Sequence, residues 1–525
     1  MTPRQVSSTD SLASLLSVGL ANRPEQSAIL DANSALSFLE LETMALASAQ
    51  YMSQTGGVRK GDRILVLADK RLEIVAAAIA IWKVGAIYVP VDPDNPPKRI
   101  SYILSTIEPK LVISSRKRLD DVANLLGDTH TLSYEELRDL VFVPSDPPMA
   151  KSAADDAAVI IHTSGSTGTP KGVTLSHASV LTYFYNHNAF LGFGIDSRSM
   201  NNGPFHFDVS IQDTFLPLFF GATVAFHGGL LVSSVMSAFI KTKHITHLIA
   251  VSSVLELISK DQEKLEALKT SDIKVVVTGG EICAPRLINR WIEAIPGVRV
   301  LYGYGPTEMN SLCTTYVITQ SEPGRESLYP IGKPFTGIKA LLLKEGGDVI
   351  EASDEVGVLA VSGPQIMMGY WRDPELTARS LFQWDGDTYY VTGDRCYRDS
   401  DGNYHFAGRQ DTEVKIRGRR INLNEIRNAL LGSSQVHHAV VTTVQNSDET
   451  RIAAYINVTS VGKFDEAALR RDIAERLLEY MVPSYLCLSS ELYTTSTGKI
   501  DEKGIIRRMR ELVNAYPIRQ IQVLE

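Results

Sequence analysis

Residues 157–172 read Ala157-Ala-Val-Ile-Ile-His-Thr-Ser-Gly-Ser-Thr-Gly-Thr-Pro-Lys-Gly172. A short apolar strand runs into ten residues built from Thr, Ser, Gly, Pro and one Lys. Small residues let the backbone approach a ligand closely, hydroxyls hydrogen-bond to it, and a lysine adds a point charge. A polyphosphate needs those properties; on composition alone a flexible surface loop is the competing reading. The run is not a Walker-type P-loop. After Gly165 and four further residues that pattern requires Gly-Lys-Ser/Thr, whereas Pro170-Lys171-Gly172 stands here, with no hydroxyl placed to hold Mg²⁺.

On either side, strand and helix signals alternate. Asp62-Arg-Ile-Leu-Val-Leu-Ala68 reads as a buried strand. Leu72–Val84 is apolar at near-helical spacing and stops before Gly85, and residues 86–93 return to strand. Lys110–Ser114 and Lys274–Thr278 are further β-rich runs. Such alternation predicts βαβ units and largely parallel sheets. From about residue 340, the turn signals Glu345-Gly-Gly-Asp348, Trp384-Asp-Gly-Asp387 and Asp399-Ser-Asp-Gly-Asn403 predict a β-rich, partly antiparallel subdomain.

A chain of 525 residues exceeds the roughly 250–300 that one hydrophobic core supports, so several units are expected. An apolar fraction of 44% and a charged fraction of 21% exclude a wholly disordered, collagen-like or coiled-coil chain. With 52 Lys+Arg against 60 Asp+Glu, the net charge of −8 gives no general preference for nucleic acid. Residues 409–525 carry 17 basic and 15 acidic side chains, against 35 and 45 in the remainder. We therefore expect a body over 1–408 and a C-terminal domain over 409–525. Cys283, Cys313, Cys396 and Cys487 form no CxxC pair and suit a reducing cytosol. Ile74–Trp82, the longest nearly apolar stretch, is about half a bilayer span, and no signal peptide opens the chain. A cytoplasmic protein with neither a membrane nor a nucleic-acid partner is expected.

Further motifs follow in order: Val84-Gly-Ala-Ile-Tyr-Val-Pro-Val-Asp-Pro93, Tyr302-Gly-Tyr-Gly-Pro-Thr-Glu308, Tyr390-Val-Thr-Gly-Asp394, Gly408-Arg-Gln-Asp-Thr-Glu413 and Thr497-Gly-Lys-Ile-Asp501. Together with Thr163–Gly172 this series resembles the adenylate-forming superfamily of acyl-CoA ligases, luciferases and nonribosomal peptide synthetase adenylation domains. The resemblance covers roughly residues 20 to 510. It implies an α/β fold: a large N-terminal domain of two α/β subdomains plus a small β subdomain, and a small mobile α+β C-terminal lid.

The resemblance also implies roles. Thr163, Ser164, Gly165, Ser166, Thr167, Gly168 and Lys171 hold the ATP phosphates. Tyr304, beside Gly303, stacks on adenine, and Glu308 ligates Mg²⁺. Asp394 accepts from the ribose hydroxyls, and Arg409 is a second ribose or phosphate contact. Asp411 is the hinge, and Lys499 bridges the substrate carboxylate and the α-phosphate. Outside such a series Lys499 reads as a surface charge. Two positions depart from the pattern: Tyr302 stands where many relatives have Asn near adenine, and Asn424 replaces a common Gly.

The implied chemistry has two steps. A carboxylate is a poor electrophile, so ATP first converts it to an acyl-AMP with release of pyrophosphate. A thiol then attacks the adenylate. In amino-acid-activating relatives a residue at the place of Asp208, in Phe205-His-Phe-Asp-Val-Ser-Ile-Gln-Asp-Thr-Phe215, pairs with the substrate α-ammonium; a helix N-cap is the structural alternative. The aligned pocket comprises Asp208, Val209, Gln212, Ala250, Val277, Gly279, Gly303, Ser311 and Leu312. All but Asp208 are neutral, so a charged substrate side chain finds no partner. A small neutral amino acid is expected. Asp-Val-Gln resembles the proline-activating pattern, from which Gly279 and Gly303 depart, and proline is the leading expectation. No Gly-Gly-x-Ser carrier motif follows Lys499, so we expect a freestanding enzyme loading the phosphopantetheine thiol of a separate carrier protein. Coenzyme A is the competing acceptor. A non-catalytic nucleotide-binding protein is the reading from another class, and Lys171, Lys499 and Glu308 together argue against it.

Overall fold

Four strands that read as almost continuous apolar runs, Arg63–Leu67, Ile87–Val91, Leu111–Ser114 and Ala157–Thr163, pair in parallel at the centre of a seven-stranded sheet. Their side chains are buried along nearly their whole length, as expected of parallel strands covered on both faces. The computed structural model describes residues 6–144, 150, 152–164, 169–229, 232–410, 413–446, 449–461, 464–491, 493, 501–515 and 522–523. Gly165–Gly168, Asp411 and Lys499 lie outside the described residues.

The helix between the first two strands spans Glu73–Lys83 and ends at Gly85, whose φ of 72° suits glycine. Every residue of it is buried, including both charged ends. Buried charges persist when paired. Glu73 meets Arg71 and Arg138, and Lys83 Nζ meets Glu42 at 2.7 Å and the Ala13 carbonyl at 3.1 Å. Trp82 donates from Nε1 to the Ala158 carbonyl at 3.0 Å and packs edge-on against Tyr88 and Phe215.

A second sheet has nine strands. Arg299–Tyr304, Val275–Gly279, His247–Ile249, Arg198–Asn201, Thr223–Phe226 and Ser27–Leu30 run parallel in that order, and antiparallel strands flank both ends. A third, antiparallel sheet of six strands is built from hairpins at the turn signals of the sequence: Lys339–Leu343 with Val349–Ile350, Leu381–Trp384 with Asp387–Arg398, and Asp387–Arg398 with Tyr404–Arg409.

The chain divides into two compact units. Met1–Pro93, Thr106–His162 and Gly172–Gln410 form one; Asp94–Ser105, Thr163–Lys171 and Asp411–Glu525 form the other. Two short N-terminal segments thus group with the C-terminal part. The second unit holds the hairpin Glu413–Ile416/Arg419–Asn422 and a four-stranded sheet centred on Glu449–Asn457. Asn422 caps the helix Leu423–Leu431 by accepting from the backbone amide of residue 424, a bond that Asn424 and a glycine supply alike. Among the described residues no helix is long and apolar enough to cross a membrane.

Three histidines of the first unit are held neutral by burial: His177 and His247 are pushed down to about 4 and His187 to about 3. The unfolded chain binds protons first, so their contribution to stability is complete above about pH 6.5 and is lost as pH falls, at up to about 1.4 kcal/mol per pH unit for each. Asp213, pushed up to about 6 by burial, acts in the opposite sense and offsets part of the loss. We expect the urea midpoint to fall from pH 7 to pH 5.5. The loss is smaller in His177→Asn, which keeps an acceptor for the Leu12 amide but cannot titrate.

Candidate active site

The strand Arg299–Tyr304 turns back through residues 305–313 to pair antiparallel with Thr314–Ile318. The turn is tight. A Cβ at Gly305 would lie 2.2 Å from the Ser311 carbonyl oxygen, so glycine is required there. Asn310 and Ser311 both adopt positive φ, 58° and 78°, a conformation that non-glycine residues keep when the surroundings over-determine it. They do so here. Asn310 Nδ2 donates to the Ser179 carbonyl at 3.1 Å. Gln365 Nε2 donates to the Met309 and Leu312 carbonyls at 3.2 and 3.0 Å, and Asn186 Nδ2 donates to Gln365 Oε1 at 3.0 Å.

Of the ionisable groups singled out in the sequence, this loop and the strand leading into it gather Glu308, Asp208, Tyr304, Asp394 and Arg409. Glu308 is fully buried, and the Tyr370 hydroxyl donates to its Oε1 at 2.7 Å. Next to it, Thr307 Oγ1 donates to Asp208 Oδ2 at 2.6 Å. Tyr304 donates through its hydroxyl to Asp394 Oδ2 at 2.5 Å, and Arg409 Nη1 meets Asp394 Oδ1 at 2.6 Å. Asp394 and Arg409 are direct partners in an antiparallel pair, so the backbone fixes their approach. Burial, reinforced by the Asp394 charge, holds the Tyr304 phenol well above its ordinary range, and it stays a donor. Tyr302 is buried, and its hydroxyl accepts from the Cys283 amide at 3.4 Å.

Among the described residues no group of three or more His, Cys, Asp or Glu could hold a metal by itself. Mg²⁺ is commonly held by one or two carboxylates together with substrate phosphates. A single buried carboxylate at Glu308 fits that mode.

Of the remaining positions assigned to the pocket, Val277, Gly279 and Gly303 lie on strands of the nine-stranded sheet. Gln212 is buried in a π-helical turn, Ile211–Phe215, a widened geometry frequent at functional sites. Val209 is partly buried against the core. The Ala250 amide donates to the Val277 carbonyl at 2.9 Å. Gly279 and Gly303 face each other across neighbouring strands, and neither opens free space. A Cβ at Gly279 would lie 2.2 Å from the Gly303 carbonyl oxygen, and one at Gly303 would lie 2.6 Å from Leu312 Cδ1. In the second unit, Ser164 Oγ donates to the Arg420 carbonyl at 2.8 Å. Thr163 closes one strand and Lys171 opens the next, Lys171–Ser176.

Residues 17–371 match the family described as AMP-binding enzyme. The chain belongs to the AMP-binding enzyme family. It is 31% identical over 502 residues to the L-proline–[L-prolyl-carrier protein] ligase of Pseudomonas fluorescens, covering 93% of this chain and 97% of that protein. It is 32% identical over 494 residues to tyrocidine synthase 3 of Brevibacillus parabrevis, covering 92% of this chain but 7% of that protein. The artificially fused adenylation–PCP didomain NpsA-ThdA of Klebsiella oxytoca superposes with a TM-score of 0.80 at 24% identity, covering 98% of each chain. The fold of this AMP-binding enzyme is accordingly the adenylate-forming one. Asn186, Asn310, Gln365 and Tyr370 escaped the sequence reading: each is an isolated polar residue whose partners lie far away in the chain.

The glycine pair generates a contrast. Gly279→Ala drives a methyl into a backbone carbonyl, whereas Gly303→Ala meets the movable tip of Leu312. Overpacking costs about 1–3 kcal/mol. Thermal unfolding should show a loss in that range for Gly279→Ala and a smaller one for Gly303→Ala.

Proposed function

We propose that this protein is an AMP-forming acid–thiol ligase that activates a small neutral amino acid, proline first among the candidates. It then passes the aminoacyl group to the phosphopantetheine thiol of a carrier protein. The observation that carries this reading is the Thr307–Asp208 hydrogen bond, 2.6 Å long. It joins the carboxylate suited to an α-ammonium directly to the loop that bears the buried Glu308.

In this reading Asp208 pairs with the substrate ammonium and sets the carboxylate at the other end of the pocket. Gln212, Ser311 and Leu312, over a floor of Ala250, Val277, Gly279 and Gly303, enclose a short uncharged side chain. A charged one would be buried without a partner. Tyr304 presents its ring to adenine, while Asp394 and Arg409 hold the ribose. Thr163, Ser164, Lys171 and residues 165–168 hold the phosphates. Mg²⁺ held at Glu308 supplies charge neutralisation of the triphosphate. Lys499 draws together two anions, the substrate carboxylate and the α-phosphate. An ammonium about 4 Å from an anion contributes about 4 kcal/mol at an effective dielectric near 20. The carboxylate oxygen bonds to the α-phosphorus and pyrophosphate leaves. The thiol gives up its proton to solvent, its sulfur bonds to the carbonyl carbon, and AMP leaves with the electron pair of the broken carbon–oxygen bond. Asp411 serves as the pivot between the two steps. The carrier acceptor is supported by a relative that this chain matches along 97% of its length, and four free, buried cysteines suit the cytoplasm.

ATP–pyrophosphate exchange across the amino acids tests the reading. Small neutral amino acids should give the highest turnover, and best turnover with an acidic or basic one overturns the pocket assignment. Asp208→Asn should lower kcat/KM for the amino acid by about 30-fold or more, as removing one partner of a buried charge pair costs about 2–5 kcal/mol. Lys499→Ala should abolish adenylation and largely spare thiol transfer from preformed adenylate.

A further inference from the structure

Two buried amides outside the residues given roles above, Gln365 and Asn186, meet behind the loop that bears Glu308. Gln365 Nε2 donates to the Met309 and Leu312 carbonyls at 3.2 and 3.0 Å, so one amide spans the positive-φ pair Asn310 and Ser311. Asn186, on the helix His177–Leu191, donates from Nδ2 to the Thr336 carbonyl and to Gln365 Oε1, each at 3.0 Å. The positive-φ pair divides the loop into two arms, Glu308-Met309 before it and Leu312-Cys313 after it.

An amide nitrogen carries two hydrogens, and an amide oxygen only accepts. Asn186 spends its two hydrogens on Thr336 and Gln365. That fixes the Gln365 oxygen toward Asn186 and turns both Nε2 hydrogens to the loop; a reversed amide would set its oxygen against two carbonyl oxygens. A buried network satisfied in this way specifies one arrangement. Each arm also has anchors of its own. The Met367 amide donates to the Glu308 carbonyl at 2.8 Å, and the Tyr370 hydroxyl holds Glu308 Oε1. On the other arm the Cys313 amide donates to the Tyr304 carbonyl and the Phe335 amide to the Cys313 carbonyl, both at 2.9 Å. By bonding to both arms at once, Gln365 sets the distance between them.

We propose that Gln365, oriented by Asn186, is a positioning residue for formation of the adenylate. The inference rests on the reading above, in which the Glu308 arm serves the nucleotide and the Leu312 arm walls the amino acid. The spacing of the arms then governs how the substrate carboxylate approaches the α-phosphate. Binding on each side depends on the anchors of that arm, whereas alignment between the sides depends on Gln365. Misplacement of reacting groups by about 1 Å can cost about 100-fold in rate. Loss of Gln365 therefore acts on turnover and spares both binding steps.

The test compares the full-length wild type with Gln365→Met, close to glutamine in size but without the donors, and with the double variant Asn186→Leu/Gln365→Met. The double variant leaves no buried Asn186 hydrogen without its Gln365 acceptor, a cost that the single variant carries. In ATP–pyrophosphate exchange with the amino acid of highest turnover, kcat of Gln365→Met should fall by about tenfold or more. Both KM values should stay within twofold of wild type. Calorimetric titration with Mg²⁺ and the non-cleavable α,β-methylene ATP, and separately with the amino acid, should give dissociation constants within twofold as well. The double variant should show the kcat of Gln365→Met and no further loss, because both residues act through the same two bonds to the loop. An unchanged kcat in folded Gln365→Met overturns the proposal. So does a tenfold weakening of either ligand, which would place the effect within one arm. Should Gln365→Met fail to fold, the double variant decides by the same measurements. A wild-type enzyme that activates no amino acid removes the functional reading and this inference with it; an active wild type with unaltered variants removes the inference alone.

Discussion

The reversal of the chain between Tyr304 and Thr314 is the constraint on which the site depends. Two strands of the nine-stranded sheet must meet across a turn so tight that Gly305 sits against the Ser311 carbonyl and two non-glycine residues adopt positive φ. Such backbone persists because side chains from distant segments hold it. Asn310 reaches the helix of Ser179, and Gln365 ties two carbonyls of the loop together. The loop cannot relax without breaking several buried hydrogen bonds together, and buried groups left unpaired are expensive. Preorganised polar groups of this kind are what electrostatic catalysis requires.

The same loop makes the first unit's sheets answer to one another. Tyr304 lies at the end of a strand in the nine-stranded sheet, and Asp394 lies on a strand of the six-stranded one. Glu308 lies in the loop itself and is held by Tyr370, from a short strand at the edge of the seven-stranded sheet. Three sheets thus converge on ten residues of chain. Elsewhere, charge is buried in the same paired fashion. Lys70 is pushed down to about 8 by burial, opposed by Asp213, and Asn201 and Thr214 donate to Asp213 beside Gln212.

Much of the fold is legible in the sequence because burial imposes local patterns. Strands covered on both faces read as unbroken apolar runs, and Gly-Asp and Gly-Gly turns mark the antiparallel hairpins. The family is legible because short motifs recur in a fixed order. Gln365 and Asn186 were invisible for the opposite reason: a single amide has no periodicity, and its partners lie over 100 residues away in the case of Asn186. The surroundings of Gly279 and Gly303 are not legible in the sequence either. Across the sheet, each faces an atom that already occupies the space, and no local sequence reports what the neighbouring strand presents.

On the proposed reading of the pocket, that glycine pair sets the direction in which it can change in evolution. Its strand floor admits no addition at Gly279, where the next atom is a backbone carbonyl oxygen, and admits one at Gly303 only by displacing the tip of Leu312. Narrowing from below is open at Gly303 alone. Widening remains open through Leu312, whose shortening would uncover the space over Gly303 without disturbing a strand. A lineage starting from this protein can therefore drift toward bulkier acids by one substitution on the loop. The reverse journey needs that leucine, or something as large, restored.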